Sequence, residues 1–531
     1  MFRMVSLLLC LFWLVPAATM AAPVSSGKQA QASTGKRSAQ SVQPARNAKN
    51  TRNAKPAKSA VPARNQKKTV PAAKAAANRP LTPLEGSSRL GYLLMDIHSG
   101  QLLEVQHDSE LFIPASVAKV PSTLAALHIL GGDHRMVTTV QSAAPVVNGV
   151  LQGDLVLVGG GDPSLNMTGL MDLANQLQGR GIYRISGRFL FDESALVAQP
   201  NISDEQNEEE TYNQGLSALT LDPSRIRLKW MMNRNGEIMT QTTPNLDYIS
   251  LVAGPSSSSG PSLVYLGGDQ KEQWRLNPRG ARSGWDWLPL KKPGRHTALA
   301  FREFCRQAGL HLPDPVAGRT PPNAAILASR ASEPLSELAR FALEHSNNLW
   351  TELIGIMAAG RLSGQPQSAS SAARILSDWI HKQLPQVDWS GFHMANSSGL
   401  SSVSRVTPRQ MAAILLLANA APIGDRTYAS LLPVSGWKGT LAGRFAGPDT
   451  AYRVWAKTGT VLYGKALAGY LYTKQNRRLV FAVFASDFEK RKNFDARMGH
   501  HAHGDISQGR GWNSLATAHI NALVERWLKT Y

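Results

Sequence analysis

The chain has 531 residues, 43% of them hydrophobic, with 57 Lys+Arg against 37 Asp+Glu, 2 cysteines and a formal net charge of +20. This length allows two or three domains and a large core, the apolar fraction excludes wholesale disorder, and two cysteines exclude a disulfide-dense scaffold. A charge of +20 points to an anionic partner only if it sits on a folded surface, so its distribution along the chain decides what it means.

Residues 1–22 read as a secretory signal: Arg3, a largely apolar run from Val5 to Ala18 interrupted by Ser6 and Pro16, then the small residues Ala21 and Ala22. The run is short for a membrane-spanning helix, and retention as an anchor is the alternative. Cys10 lies inside it, so cleavage leaves Cys305 alone and no internal disulfide. Residues 23–80 hold 13 basic residues, no Asp or Glu and no aromatic residue. Such a segment buries too little apolar surface to offset its chain entropy and is expected to be a disordered basic linker. Taking away those 13 and Arg3 leaves 43 basic residues against 37 acidic ones in 81–531, a balance of +6. The excess charge therefore belongs to the linker. No nucleic-acid recognition motif accompanies it, and an exported protein leaves the genome behind, so nucleic acid is not the expected partner. An anionic wall polymer, lipopolysaccharide or a membrane surface suits 23–80, against a merely solvated spacer.

From residue 81 the pattern is that of a folded domain. Arg89 to Val105 reads as a hairpin turning at His98-Ser99-Gly100. Val117, Val120, Leu124, Leu127 and Leu130 then predict a helix with one apolar face. Residues 137–293 are richer in strands and turns, including Leu155–Val158 running into Gly159-Gly160-Gly161, a Ser/Gly/Pro loop at 254–262, and the acidic stretch Asp204–Glu210, expected as an exposed loop. The three glycines read as a turn, since no Gly-Lys-Ser/Thr follows to make a phosphate loop. Helical periodicity returns from Ala298, with faces at Leu335, Leu338, Phe341, Ala342 and at Leu349, Leu353, Ile356, Met357. Lys465–Thr473 and Arg478–Ala485 read as adjacent strands, and a last helix from Gly511 carries Trp512, Leu515, Ile520, Leu523, Val524, Trp527 and Leu528 on one stripe. The order predicts a mixed α/β domain (81–136 and 294–531) interrupted by an insertion (137–293).

Three short patterns carry possible chemistry. Ser116 and Lys119 are one helical turn apart, so they can meet, and a serine becomes nucleophilic when a neighbouring base takes its proton. A lysine is such a base only if burial or a nearby cation lowers its pKa. Ser-x-x-Lys alone is weak: it recurs at Ser25/Lys28, Ser33/Lys36 and Ser435/Lys438, but only Ser116/Lys119 opens an amphipathic helix. Ser346-Asn347-Asn348 lies between two helical segments, and Ser-x-Asn recurs at Ser164-Leu165-Asn166. Lys457-Thr458-Gly459, followed by Thr460, occurs once; on a strand Lys457 and Gly459 point one way and Thr458 the other. Taken singly, each is a capped helix or a surface turn.

In this order, each on a suitable element, the three resemble the signature of the penicillin-binding proteins and serine β-lactamases. The spacing, 230 residues from Ser116 to Ser346 and 111 from Ser346 to Lys457, resembles the class C low-molecular-mass penicillin-binding proteins, D-alanyl-D-alanine carboxypeptidases that are also endopeptidases. Further stretches agree: Gly153-Asp154-Leu155 to Gly161-Asp162-Pro163-Ser164, Leu216-Ser217-Ala218-Leu219, Ser398-Gly399-Leu400-Ser401 with Arg405-Val406-Thr407-Pro408, and Leu432 to Gly436 with Gly439-Thr440-Leu441. The resemblance runs from about residue 85 to about 490. Asn347 stands where that family usually has Asp, Asn396-Ser397 replace an expected acidic residue, Pro121 sits early in the nucleophile helix, and the basic linker is extra.

The resemblance implies an antiparallel sheet flanked by helices and interrupted by a strand-rich insertion. It implies an exported, periplasmic or cell-envelope hydrolase acting on peptidoglycan peptides and acylated by β-lactam antibiotics. Ser116 would attack, Lys119 would take its proton, Ser346 would relay a proton to the leaving amine and Asn348 would hold the substrate amide. Lys457 would supply charge and help lower the Lys119 pKa, Thr458 and Thr460 would contact the substrate carboxylate, and the N–H groups of Ser116 and Thr460 would form the oxyanion hole. No metal or cofactor is implied. The alternatives are a β-lactamase and a catalytically silent wall-binding protein of the same fold. Outside the resemblance, His500, His501, His503 and Asp505 form a cluster whose spacing matches no standard zinc site and reads as a polar loop.

Overall fold

The computed structural model describes residues 83–222, 224–254, 262–497 and 503–531. The signal and basic linker read in residues 1–80 lie outside the described residues, as do His500, His501 and the side chains of His503 and Asp505.

β1 (Arg89–Asp96) and β2 (Leu102–Gln106) form the expected hairpin; Asp96 Oδ1 accepts from the N–H groups of His98 and Ser99 at 2.9 and 3.0 Å, which shapes the turn. A 3-10 turn, Ala115–Ala118, feeds straight into α1 (Lys119–Leu130). The periodicity predicts one apolar face, but every residue from Lys119 to Leu127 is buried. The helix runs through the core rather than along its surface, so it is not the amphipathic helix that the sequence predicts. Its polar members are satisfied locally: Thr123 Oγ1 donates to Lys119 O at 2.6 Å and Ser122 Oγ to Ser397 O at 2.8 Å. Pro121 falls in the first helical turn, where its missing N–H has no partner to lose.

The chain then builds β3 (Val137–Ser142), the short β4 (Val146–Val147) and β5 (Val150–Leu151), β6 (Leu155–Val158), α2 (Met167–Gly179), β7 (Arg184–Ile185) and β8 (Phe189–Asp192). Asn166 caps α2 by accepting from Gly169 N at 3.1 Å, so the second Ser-x-Asn is a helix cap. Six strands follow: β9 (Arg225–Met232), β10 (Ile238–Thr243), β11 (Ile249–Ala253), β12 (Leu263–Gly267), β13 (Glu272–Leu276) and β14 (Ser283–Pro289). After α3 (Pro293–Gln307) come β15 (Pro315–Ala317) and β16 (Ala325–Ala331). These two complete a five-stranded sheet, β15-β8-β6-β3-β16, and α3 packs Phe301 and Cys305 with Leu170 and Leu173 of α2 in one core beside it. The boundary at 293 read from the sequence therefore falls inside this layer, because α3 opens a segment whose strands return to the edges of the same sheet. Two three-stranded sheets, β10-β9-β14 and β11-β13-β12, share a separate core around Leu228, Tyr248, Trp274 and Leu288.

The remaining elements are α4 (Leu335–Glu344), α5 (Asn348–Ser363), α6 (Ala369–Gln383), α7 (Pro408–Ala420), β17 (Val454–Val461), β18 (Gly464–Tyr472), β19 (Arg478–Ser486), α8 (Phe488–Asp495) and α9 (His503–Thr530). The main sheet, β17-β18-β19-β1-β2, is antiparallel and joins both ends of the described chain. Alternation along its strands separates two cores. Ala466, Ala468, Tyr470, Val480, Ala482 and Phe484 face the cluster containing α1 and α4–α7. Leu467, Leu471, Phe481 and Val483 face Ile520, Val524, Trp527 and Leu528 of α9. The result is helices, sheet and helix in three layers, with β17 at the edge, where residues 433–435 pair with its first part, Val454–Ala456.

Candidate active site

The site forms where α1, the α4–α5 junction and β17 converge. Ser116 lies in the 3-10 turn just before α1, partly exposed, while Lys119 one turn later is wholly buried. The turn is tightly held. Ala115 has φ 46°, a left-handed value that costs an L-residue energy and persists only where packing demands it. That packing comes from two glycines. A Cβ on Gly459 would lie 2.4 Å from Pro114 O, and one on Gly399 would lie 1.9 Å from Ala115 O. The glycines of Lys-Thr-Gly and Ser-Gly-Leu-Ser thus let two backbones close on the Ser116 turn.

Lys119 Nζ stands 3.0 Å from Ser116 Oγ, 2.8 Å from Asn348 Oδ1 and 2.7 Å from Ser398 O. An amine with two hydrogens donated to Asn348 and Ser398 has its lone pair left for the Ser116 hydroxyl. Burial lowers the Lys119 pKa to about 7, opposed by the nearby Glu352 carboxylate. Lys457 Nζ donates to Ser346 Oγ at 2.9 Å and to Thr458 O at 2.8 Å. Its pKa is also pushed down, first by burial and then by the charge of Lys119. Burial is the largest cause at both lysines, and the repulsion between them that the resemblance implies adds to it.

Ser346, in the turn after α4, has φ 53°, and Asn347 caps α5 by accepting from Trp350 N at 3.1 Å. An amide oxygen caps as well as a carboxylate, which accounts for Asn where Asp is usual. Asn348 begins α5, and its Nδ2 donates to Tyr212 O at 3.3 Å. On β17, Thr458 Oγ1 lies 2.9 Å from Thr440 Oγ1 and the exposed Thr460 accepts from Lys465 Nζ at 2.6 Å. All eight residues singled out from the sequence fall in this region. Ser435 and Lys438 do not join it: Ser435 Oγ bonds Thr450 O and Val454 N, and Lys438 pairs with Glu344.

Two contributors escaped the sequence reading. Glu352, fully buried one turn after Asn348, accepts from Ser397 N at 3.1 Å and Ser398 N at 2.7 Å, and so holds the carbonyl that receives Lys119. A lone Glu inside the apolar run Leu349–Ile356 was the signal available. The second is the acidic stretch Asp204–Glu210, expected as an exposed loop, together with Tyr212 just beyond it. Glu205 accepts from Ser401 Oγ at 2.7 Å and Ser402 N at 3.1 Å, and Tyr212 supplies the carbonyl on Asn348. Buried Lys291 pins the segment through Asn201 Oδ1 at 2.6 Å, Asn213 O at 3.1 Å and Glu208 O. Part of the insertion therefore lines the site.

Sheet, helices and paired Ser–Lys groups together define a serine peptidase of the penicillin-binding fold. The chain belongs to the D-Ala-D-Ala carboxypeptidase 3 (S13) family, which matches residues 72–503. It is 28% identical over 423 residues to the D-alanyl-D-alanine carboxypeptidase of Actinomadura sp. (strain R39), spanning 73% of this chain and 76% of that protein. It is 23% identical over 419 residues to the D-alanyl-D-alanine carboxypeptidase DacB of Haemophilus influenzae, spanning 76% and 87%. The crystal structure of penicillin binding protein 4 from H. influenzae shares the fold with a TM-score of 0.67 at 22% identity, covering 76% of this chain and 91% of that one. A structure of that protein complexed with a β-lactam gives 0.65 at 21% identity, covering 76% and 90%.

Proposed function

We propose that the chain cleaves the bond between two D-alanine residues at the end of peptidoglycan stem peptides, and the equivalent bond in cross-links, through an acyl-enzyme on Ser116. The observation that carries this is the buried Lys119 amine 3.0 Å from Ser116 Oγ, its two hydrogens directed to Asn348 and Ser398. Neutral Lys119 takes the Ser116 proton as Oγ forms a bond to the substrate carbonyl carbon. The oxyanion develops between the N–H groups of Ser116 and Thr460. As the C–N bond breaks, Ser346 passes a proton to the leaving amine and is reprotonated from Lys457. D-alanine, or the amine of a cross-linked stem, departs. The proton on Lys119 is then passed to Lys457, left neutral by the first step, so Lys119 is again a neutral base when water attacks the ester. β17 is an edge strand whose first part, Val454–Ala456, pairs with residues 433–435, so an extended peptide can lie along its outer side beyond Ala456 with Asn348 opposite, as strand addition requires. Thr458 and Thr460 face the terminal carboxylate. A β-lactam enters the same path, but ring opening leaves no departing fragment, so the adduct persists.

The reading of residues 1–22 as a signal, together with a peptidoglycan substrate, supports a periplasmic or cell-envelope location. Incubation with purified peptidoglycan fragments is expected to release free D-alanine and to split cross-linked dimers. Rapid penicillin hydrolysis with neither product would identify a β-lactamase instead, and no product at all would mean a silent wall-binding protein.

The Lys119 pKa also fixes a sign. A base must be neutral to act, so acylation by penicillin should rise with pH through a midpoint near 7 and fall about tenfold per unit below it. An ordinary lysine would place that midpoint about three units higher. Stopped-flow acylation rates from pH 5 to 9 measure this, and a flat profile would remove Lys119 as the base.

A further inference from the structure

The small sheet β10-β9-β14 has two unlike faces. On the inner face Ile226, Leu228 and Leu288 join the core shared with β11-β13-β12. On the outer face the central strand carries Arg225, Arg227, Lys229 and Met231 at alternate positions, spaced about 7 Å apart. Register sets their neighbours. Met231 lies opposite Met239, Lys229 lies between Gln241 and Trp285, and Arg227 lies between Thr243 and Trp287. Met231 and Met239 are 59% and 60% exposed, and Trp285 is 52% exposed. None of these outward positions holds a carboxylate. Arg225 stacks on Trp287, its guanidinium 5.0 Å from the ring centre, with Asp222 within electrostatic reach. Among the described residues, Arg227 and Lys229 form no ion pair.

We propose that this face docks on an anionic membrane surface. Met231, Met239 and Trp285 enter the boundary between headgroups and acyl chains, and Arg225, Arg227 and Lys229 meet phosphate headgroups behind them. Exposed apolar side chains beside a cationic row are what such a boundary accommodates. A soluble anionic polymer would engage the cations and stack on the tryptophans but would leave the methionine pair in water. The 13 basic residues of 23–80 supply a second cationic element, and stable surface attachment generally takes two.

The test is sedimentation of the full-length protein with vesicles of phosphatidylcholine containing about a quarter phosphatidylglycerol, at about 0.1 M salt. Each cation at such a surface is worth about fivefold in partition. Arg227→Glu/Lys229→Glu should therefore weaken binding at least tenfold, and Met231→Ser/Met239→Ser several-fold, leaving residual binding through 23–80. Unchanged fluorescent-penicillin labelling in solution will show that both variants are folded. Wild-type binding retained by both variants, or no wild-type binding, overturns the proposal. Loss confined to the charge variant, with competition by a soluble polyanion, overturns it in favour of a wall polymer.

Discussion

Ser116→Ala is expected to abolish covalent labelling by a fluorescent penicillin and to lower D-alanine release by about 10³-fold or more, while leaving the fold intact. The contrast follows from where Ser116 sits. Its hydroxyl is partly exposed and meets Lys119, which keeps Asn348 Oδ1 and Ser398 O as acceptors when the hydroxyl is gone. The surrounding turn is fixed by backbone contacts with Gly399 and Gly459, which the substitution does not touch. The thermal midpoint should move by no more than about 1 kcal/mol of stability implies. Labelling at the wild-type rate would assign the nucleophile elsewhere.

Glu352→Gln should cost both stability and activity, although Glu352 touches neither Ser116 nor the open groove. Each carboxylate oxygen accepts one buried N–H, from Ser397 and from Ser398. Glutamine offers one acceptor and one donor, so one N–H meets an NH₂ group and loses its partner. A buried donor left unpaired costs about 1–3 kcal/mol, seen as a lower thermal midpoint. The Ser398 carbonyl then shifts, and with it the amine it positions, so acylation should slow about tenfold or more. One readout separates positioning from general damage. The Glu352 charge holds the Lys119 pKa up, so removing it should move the midpoint of the acylation profile below about 7. A slower enzyme with an unmoved midpoint would mean that Glu352 acts through its hydrogen bonds alone.

Local pattern carried much of the architecture. The hairpin at 89–106, the helical face of α4, the paired strands β18 and β19 and the stripe of α9 follow from periods of 2 and 3.6 that survive in the structure, whereas α5, like α1, is buried on every side from Leu349 to Ile356. The motif residues were legible because chemistry restricts them to particular types at particular spacings. What stayed hidden was long-range. Periodicity gives α1 an apolar face but not the number of neighbours that surround it. Strands 315–331 return to a sheet begun at 137, and no local signal encodes that pairing. Asp204–Glu210 reads as solvated because acidic residues favour water, yet Lys291 and Ser401, 81 or more residues away in sequence, give it partners. Glu352 reads as an isolated polar residue until the Ser397–Ser398 backbone arrives beside it.

The insertion has a consequence for modularity. A catalytic core split by an inserted segment invites the idea of a cassette that can be removed, leaving a smaller enzyme. Here the segment at 201–213 reaches the amide of Asn348 and the backbone that follows Ser398, while its own anchor, Lys291, sits at the far end of the strand-rich block. Excision would strip one wall from the groove and leave Ser401 and Ser402 without their acceptor. The block and the core are two halves of a single vessel, and variation in one is answerable to the chemistry held by the other.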